Sequence, residues 1–197
     1  MSYYINTKPF IITFLAKNII HIYYMYDIID YLSILGFLCP TLLGLASLWF
    51  LRHNYNYLTI YAIGYAVNIG VNYFLKGIIK EPRPDQNQRL INLLNLYDNN
   101  KTRISNDQYG MPSGHMQLST YSTLYVFLVL KNKLILVGYS LMSLLCFWQR
   151  ISSNSHTFIQ AFMGALIGLI LAYVCYLYST DKIQGVLREK EDDDAPL

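Results

Sequence analysis

Five stretches of this chain are each apolar for long enough to cross a hydrocarbon core, which needs about 20 residues of helix. They cover 31–51, 55–79, 112–130, 134–151 and 158–178. An earlier stretch, 9–29, is apolar but interrupted by Lys17, Asn18, His21 and Asp27. Those groups are costly at mid-bilayer depth and comfortable at an interface, so residues 1–30 are expected to hold an amphipathic or poorly inserted helix. The expected fold is an all-α, polytopic transmembrane bundle of five to six helices. Its membrane domain would cover 31–178. Residues 179–197, which end in the run Glu189, Lys190, Glu191, Asp192, Asp193, Asp194, are expected to form a disordered acidic tail.

Composition agrees with a membrane protein. Of the 197 residues, 54% are hydrophobic and 14% charged, against roughly 25% charged in an ordinary soluble domain. The net charge of +3 is scattered rather than gathered in a stripe, which argues against a nucleic-acid partner. Cys39, Cys146 and Cys175 lie in apolar runs without CxxC spacing and are expected to be packing residues. Only Lys8 precedes the first short apolar stretch, with no small-residue cleavage pattern after it, so no removable signal peptide is expected. Two small-residue pairs, Gly164 with Gly168 and Ala66 with Gly70, are spaced for close helix approach.

Charged and imidazole groups near membrane helices are expensive unless paired or used, and here they fall into three clusters. Lys76 is followed after six residues by Arg83 and Pro84; Pro112, Ser113, Gly114 and His115 stand where a new helix begins; Arg150 is followed after five residues by His156, and then by Gln160. The second segment ends at the first cluster, the third begins at the second, the fourth ends at Arg150, and the fifth begins just after His156. Four segment ends therefore meet at one membrane face. A channel would instead line a path across the bilayer with polar groups.

The residue types suit a phosphate. Lys76, Arg83 and Arg150 bring three positive charges, and an arginine fork matches phosphate oxygens. Pro112 suits a first helical turn, where the N–H groups of Ser113 and Gly114 would face an anion. Of two histidines, one can attack phosphorus and the other protonate the departing oxygen. No cluster of carboxylates is present to hold a metal, and no cofactor is expected. His21 and His53 belong to no motif and are taken as structural.

This pattern, Lys76-x6-Arg83-Pro84, then Pro112-Ser113-Gly114-His115, then Arg150-x5-His156, resembles the three-part signature of the type 2 phosphatidic acid phosphatase superfamily. The resemblance implies His156 as nucleophile, His115 as general acid, and Lys76, Arg83, Ser113, Gly114 and Arg150 as phosphate-binding residues. The chain departs from that family twice, with Gln149 where Ser is usual and Gln160 where Asp is usual. A neutral Gln160, one turn beyond His156, is expected to accept the ring N–H. The run from Gly70 through Lys76 to Glu81-Pro82-Arg83-Pro84, the run Tyr109-Gly110-Met111-Pro112-Ser113, and His156-Thr157 followed by Gln160 look like the dolichyl diphosphate phosphatase branch. That branch implies a polyprenyl diphosphate substrate, cleaved to the monophosphate on the lumenal side of the endoplasmic reticulum. The alternatives are a phosphatidate phosphatase and a lipid-phosphate-binding protein without activity. Basic residues lean slightly toward a lumenal site, with Arg52, Lys131, Lys133, Lys182, Arg188 and Lys190 opposite it, against Lys80, Arg89, Lys101 and Arg103 in the site loop. Oligomeric state is left open.

Overall fold

The computed structural model describes residues 28–84 and 109–193, with side chains as far as 183. Five α-helices follow one another: α1 (Ile28–Leu51), α2 (Tyr55–Ile79), α3 (Gly114–Leu130), α4 (Lys133–Ser152) and α5 (Phe158–Asp193). Among the described residues the only β-type pairing is one isolated antiparallel bridge, Pro82 to Tyr109. The all-α polytopic bundle expected from the sequence is therefore what the chain forms. The segment 1–27, the basic loop residues Arg89, Lys101 and Arg103, and His21 lie outside the described residues.

Four helices, α1, α2, α4 and α5 (as Phe158–Ile183), are long and apolar enough to cross a membrane. The fifth expected span is different. Its helix, α3, has 17 residues and at 1.5 Å per residue reaches about 26 Å. It starts only at Gly114 because Ser113 is still extended, with φ −69° and ψ 114°. α3 is the central element and touches all four other helices.

That position explains why α3 is so polar. Ser119, Thr120 and Thr123 return their hydroxyls to carbonyls one turn back, at 2.8, 2.9 and 2.8 Å. Thr123 also meets Ser143 of α4 at 2.9 Å. Tyr121 donates to the Tyr61 carbonyl at 3.1 Å, and Tyr125 to the Tyr57 carbonyl at 2.9 Å. In hydrocarbon these groups would be left unsatisfied, whereas between helices each finds a partner. Around them, Tyr61, Tyr65, Tyr121 and Tyr125 form a cluster with ring centroids 5.4 to 6.2 Å apart.

Helix α5 packs along α3 through Gly164 and Gly168, where a Cβ would run into the backbone carbonyls of Ser113 and Gln117. This is the close approach expected of the pair. Ala66 and Gly70 behave otherwise, because both are exposed and nothing lies within 4 Å of a Cβ built on Gly70. The outer surface is apolar, including Ile63, Phe74, Leu134, Leu141, Phe162 and Ile170. At the end opposite the three motif clusters, Arg52 lies 4.0 Å over Trp49, Lys131 5.2 Å from Tyr176, and Lys182 5.7 Å from Tyr178. Such cation and aromatic pairs belong at a membrane boundary.

The expected disordered tail begins too early. Ser179 is buried and meets Tyr125 at 2.8 Å, and α5 continues unbroken to Asp193. The polar residues after Tyr178 are compatible with a helix whose first turns are already fixed by packing against α3.

Candidate active site

Each motif segment is set by how a helix starts or stops. α2 ends at Lys80, a left-handed residue (φ 51°) whose N–H bonds the Lys76 carbonyl. Pro82 and Pro84 then prevent continuation of the helix. Lys76 is thereby left buried in the last helical turn, with Arg83 on an extended stretch beyond it. That stretch is paired: the Gly110 N–H donates to the Glu81 carbonyl at 2.8 Å, and Arg83 Nε donates to the Tyr109 carbonyl at 3.3 Å.

The second segment is tied to both flanking helices. Asn72 donates to the Pro112 carbonyl at 3.1 Å and to Gln117 Oε1 at 2.8 Å. Gln117 in turn donates to Asn68 through the carbonyl and Oδ1. From α5, the Gln160 carbonyl accepts the Ser113 N–H at 3.0 Å. Ser113 Oγ is buried with no hydrogen-bond partner among the described residues. As the residue ahead of α3 it stands beside the unpaired N–H groups of a helix start, the usual seat of an anion.

The third segment is a tight turn. The carbonyl of Arg150 accepts both the Ser155 and His156 N–H groups, at 3.2 and 3.1 Å, with Asn154 left-handed at φ 51°. His156 is 2% exposed. Its Nε2 lies 3.3 Å from Nη1 of Arg83. Across the pocket, Phe37 of α1 packs on the His115 ring at 5.1 Å between centroids, and the Arg150 guanidinium stands 6.0 Å from the same Phe37 ring.

Burial, and then the charges of Arg150, Arg83, Lys76 and His115, hold the His156 imidazole well below its ordinary range. A neutral ring has one free lone pair. An arginine can only donate, so a hydrogen bond to Arg83 requires Nε2 to be the acceptor and puts the proton on Nδ1. The lone pair then faces the cationic side of the pocket.

The structure brings Lys76, Arg83, Ser113, Gly114, His115, Arg150 and His156 to one face of the bundle, as the motif order predicts. Gln160 is there too, but not in the expected role. Its Oε1 accepts the Thr157 N–H at 3.2 Å while its own N–H reaches Thr157 Oγ1 at 3.2 Å. Its Nε2 donates to Glu81 Oε1 at 2.8 Å and to the Pro82 carbonyl at 2.9 Å. None of these bonds reaches the His156 ring, whose Nδ1 has no partner among the described residues. Thr157-x-x-Gln160 is a capping box at the start of α5, a signature present in the sequence but not used in reading it. The other departure, Gln149, accepts from Arg150 Nη1 at 3.4 Å and packs its stem against Gly36 of α1. Asn68 and Gln117 belong to no sequence motif, and Asn72 and Glu81 enter only as members of the motif runs, because single amide and carboxylate groups in a sequence carry no sign of their partners.

The profile of the PAP2 superfamily matches residues 57–184, which takes in all three motif clusters. The chain belongs to the PAP2 superfamily. It is 29% identical over 196 residues to a dolichyldiphosphatase of Saccharomyces cerevisiae, covering 94% of this chain and 75% of that protein. It is 26% identical over 134 residues to dolichyldiphosphatase 1 of Homo sapiens and 27% to that of Mus musculus, in each case 60% of this chain and 51% of the relative. The chain thus spans about half the length of the two mammalian relatives. No solved structure matches. These findings bear out the expected superfamily and with it the class of a hydrolase acting on lipid phosphate, and the relatives they name support the dolichyl diphosphate phosphatase branch. α1, which supplies Phe37 to the pocket, precedes the matched PAP2 region.

Proposed function

We propose that this PAP2 protein hydrolyses a polyprenyl diphosphate of the dolichyl type to the monophosphate and inorganic phosphate, through a phosphohistidine on His156. The observation that carries the reading is the 3.3 Å approach of Arg83 to Nε2 of a buried, neutral His156. A terminal phosphate would take over the Arg83 donor, freeing that lone pair to meet its phosphorus. Lys76, Arg150, the Ser113 hydroxyl and the Gly114 N–H complete the cradle, the Ser113 N–H being held by the Gln160 carbonyl instead of free as the sequence suggests. Three positive side chains offset the charge of the phosphoryl group as it transfers, the largest kind of contribution a site of this type makes.

In the first step Nε2 bonds to the terminal phosphorus and the bridging P–O bond breaks. The electron pair leaves on the lipid monophosphate oxygen, which takes a proton from His115, an imidazolium once the bound anionic substrate offsets the cations around it. Water then attacks the phosphohistidine and gives a proton to His115, the P–N bond breaks, and phosphate is released. A positioned acid is typically worth about 10² to 10⁴ in rate. Two relatives named dolichyldiphosphatase from yeast and human favour the diphosphate over phosphatidate. The excess of basic residues at the opposite face favours a lumenal site in the endoplasmic reticulum.

Phosphate release by the purified protein in detergent, with dolichyl diphosphate and phosphatidate side by side, tests the assignment. A higher kcat/KM on dolichyl diphosphate is expected. A preference for phosphatidate would move the protein to the monophosphate branch. Release from neither, with vanadate still bound, would leave a lipid-phosphate-binding protein.

A further inference from the structure

We propose that Glu81 is a positioning residue for Arg83, acting through Gln160, which joins all three catalytic segments. The inference rests on Arg83 being a phosphate ligand, as in the reading above. Gln160 is fully buried. Its carbonyl holds the Ser113 N–H of the second segment, and its Oε1 and N–H close the cap on Thr157, next to His156. Both hydrogens of its amide go to the first segment, one to the Glu81 carboxylate and one to the Pro82 carbonyl.

Every donor and acceptor here has one sense. Glu81 and the Pro82 carbonyl are acceptors, so the amide must turn its nitrogen toward them, which leaves its oxygen for Thr157. A side chain at 160 must therefore accept at one end and donate twice at the other, and only glutamine has that reach and that pair of groups. An aspartate would face the Glu81 carboxylate with a like charge and give the Pro82 carbonyl nothing. Glu81 thus accounts for the departure at 160. Gly110 shows how tight the arrangement is, since a Cβ there would meet the Gln160 amide. The Gly110 N–H closes the ring by donating to the Glu81 carbonyl at 2.8 Å. Arg83 follows Pro82 directly, and its Nε bond goes to Tyr109, which pairs with Pro82. Holding Glu81 and Pro82 therefore fixes where the guanidinium starts.

The test uses the full chain in detergent with vanadate as the probe of the phosphate pocket, read by the vanadate-dependent shift in melting temperature, so that no turnover is required. Gln160→Glu keeps the oxygen that caps Thr157 but turns acceptors toward Glu81 and Pro82. Vanadate should bind about tenfold more weakly, the effect of losing one charge-assisted hydrogen bond. Adding Glu81→Gln gives the introduced carboxylate a donor again, and the double variant should recover at least threefold of that affinity. On substrate, the single variant should show the loss mainly in KM, with the double recovering it. Vanadate affinity within twofold of wild type in Gln160→Glu, or a double variant as weak as the single, overturns the proposal. If Gln160→Glu does not fold, Glu81→Ala decides, because it removes one acceptor of the amide while leaving the cap intact. A threefold or greater loss of vanadate affinity at a retained melting temperature supports the brace, and unchanged affinity overturns it. A wild-type protein that does not respond to vanadate refutes Arg83 as a phosphate ligand and the proposal with it, whereas normal wild-type binding with unaffected variants refutes the brace alone.

Discussion

Arg83 Nη1 and His156 Nε2 lie 3.3 Å apart, although one belongs to the stretch after α2 and the other to the turn before α5. This contact selects the tautomer of His156 and points its lone pair into the pocket. Arg83→Lys keeps the charge but loses the fork, and should lower kcat/KM on lipid diphosphate by roughly 10- to 100-fold, the range for a hydrogen bond to a charged group. A variant with wild-type kcat/KM would remove Arg83 from the phosphate cradle.

The two histidines are predicted to separate by leaving group. His156→Asn should give neither turnover nor a trapped phosphoenzyme. His115→Asn should slow a lipid substrate by about 10² or more but a p-nitrophenyl phosphate ester far less, since that oxygen departs without a proton. Equal losses on both esters would show that His115 does not protonate the leaving oxygen.

Acid should destabilise the fold through His156. Its folded-state pKa lies well below its unfolded value, so below about pH 6.5 the unfolded chain binds a proton that the folded protein refuses. Stability is therefore intact above that pH and falls as pH drops toward the folded pKa. By pH 5.5 the loss from this group alone should be on the order of 1 kcal/mol. The melting temperature of His156→Asn should depend less on pH between 7.5 and 5.5 than that of wild type, and parallel curves would contradict the burial argument.

The small-residue pairs should respond differently to bulk. Gly164→Val would push a side chain into the Ser113 carbonyl and should cost about 1–3 kcal/mol together with most of the activity. Gly70→Leu meets open space and should shift stability by less than about 0.5 kcal/mol. Thermal melts of the two variants in one detergent make the comparison, and equal destabilisation would count against the described packing.

Much of this arrangement could be read from the sequence, for definite reasons. Helix positions follow from apolar length, and the meeting of the three motifs follows from where those helices end. Spacing could not tell Gly164 from Gly70, because a small pair marks a possible close approach without saying whether a neighbour is there. Gln160 was visible as a departure and its position one turn beyond His156 suggested the ring as partner. Its actual partners, Glu81 and Pro82, lie 79 and 78 residues away in the chain, and that pairing exists only in three dimensions. In the sequence α3 looks like one more span, because its apolar and hydroxyl residues alternate too finely to show that it sits at the centre.

Helix α5 has 36 residues, about 54 Å at 1.5 Å per residue, against a hydrocarbon core of about 30 Å. It starts at the candidate pocket, its apolar part runs to Ile183, and its last turns extend beyond the length that a hydrocarbon core needs. Anything docking on that acidic end would sit about a membrane thickness from the candidate pocket, joined to it by the helix that carries Gln160.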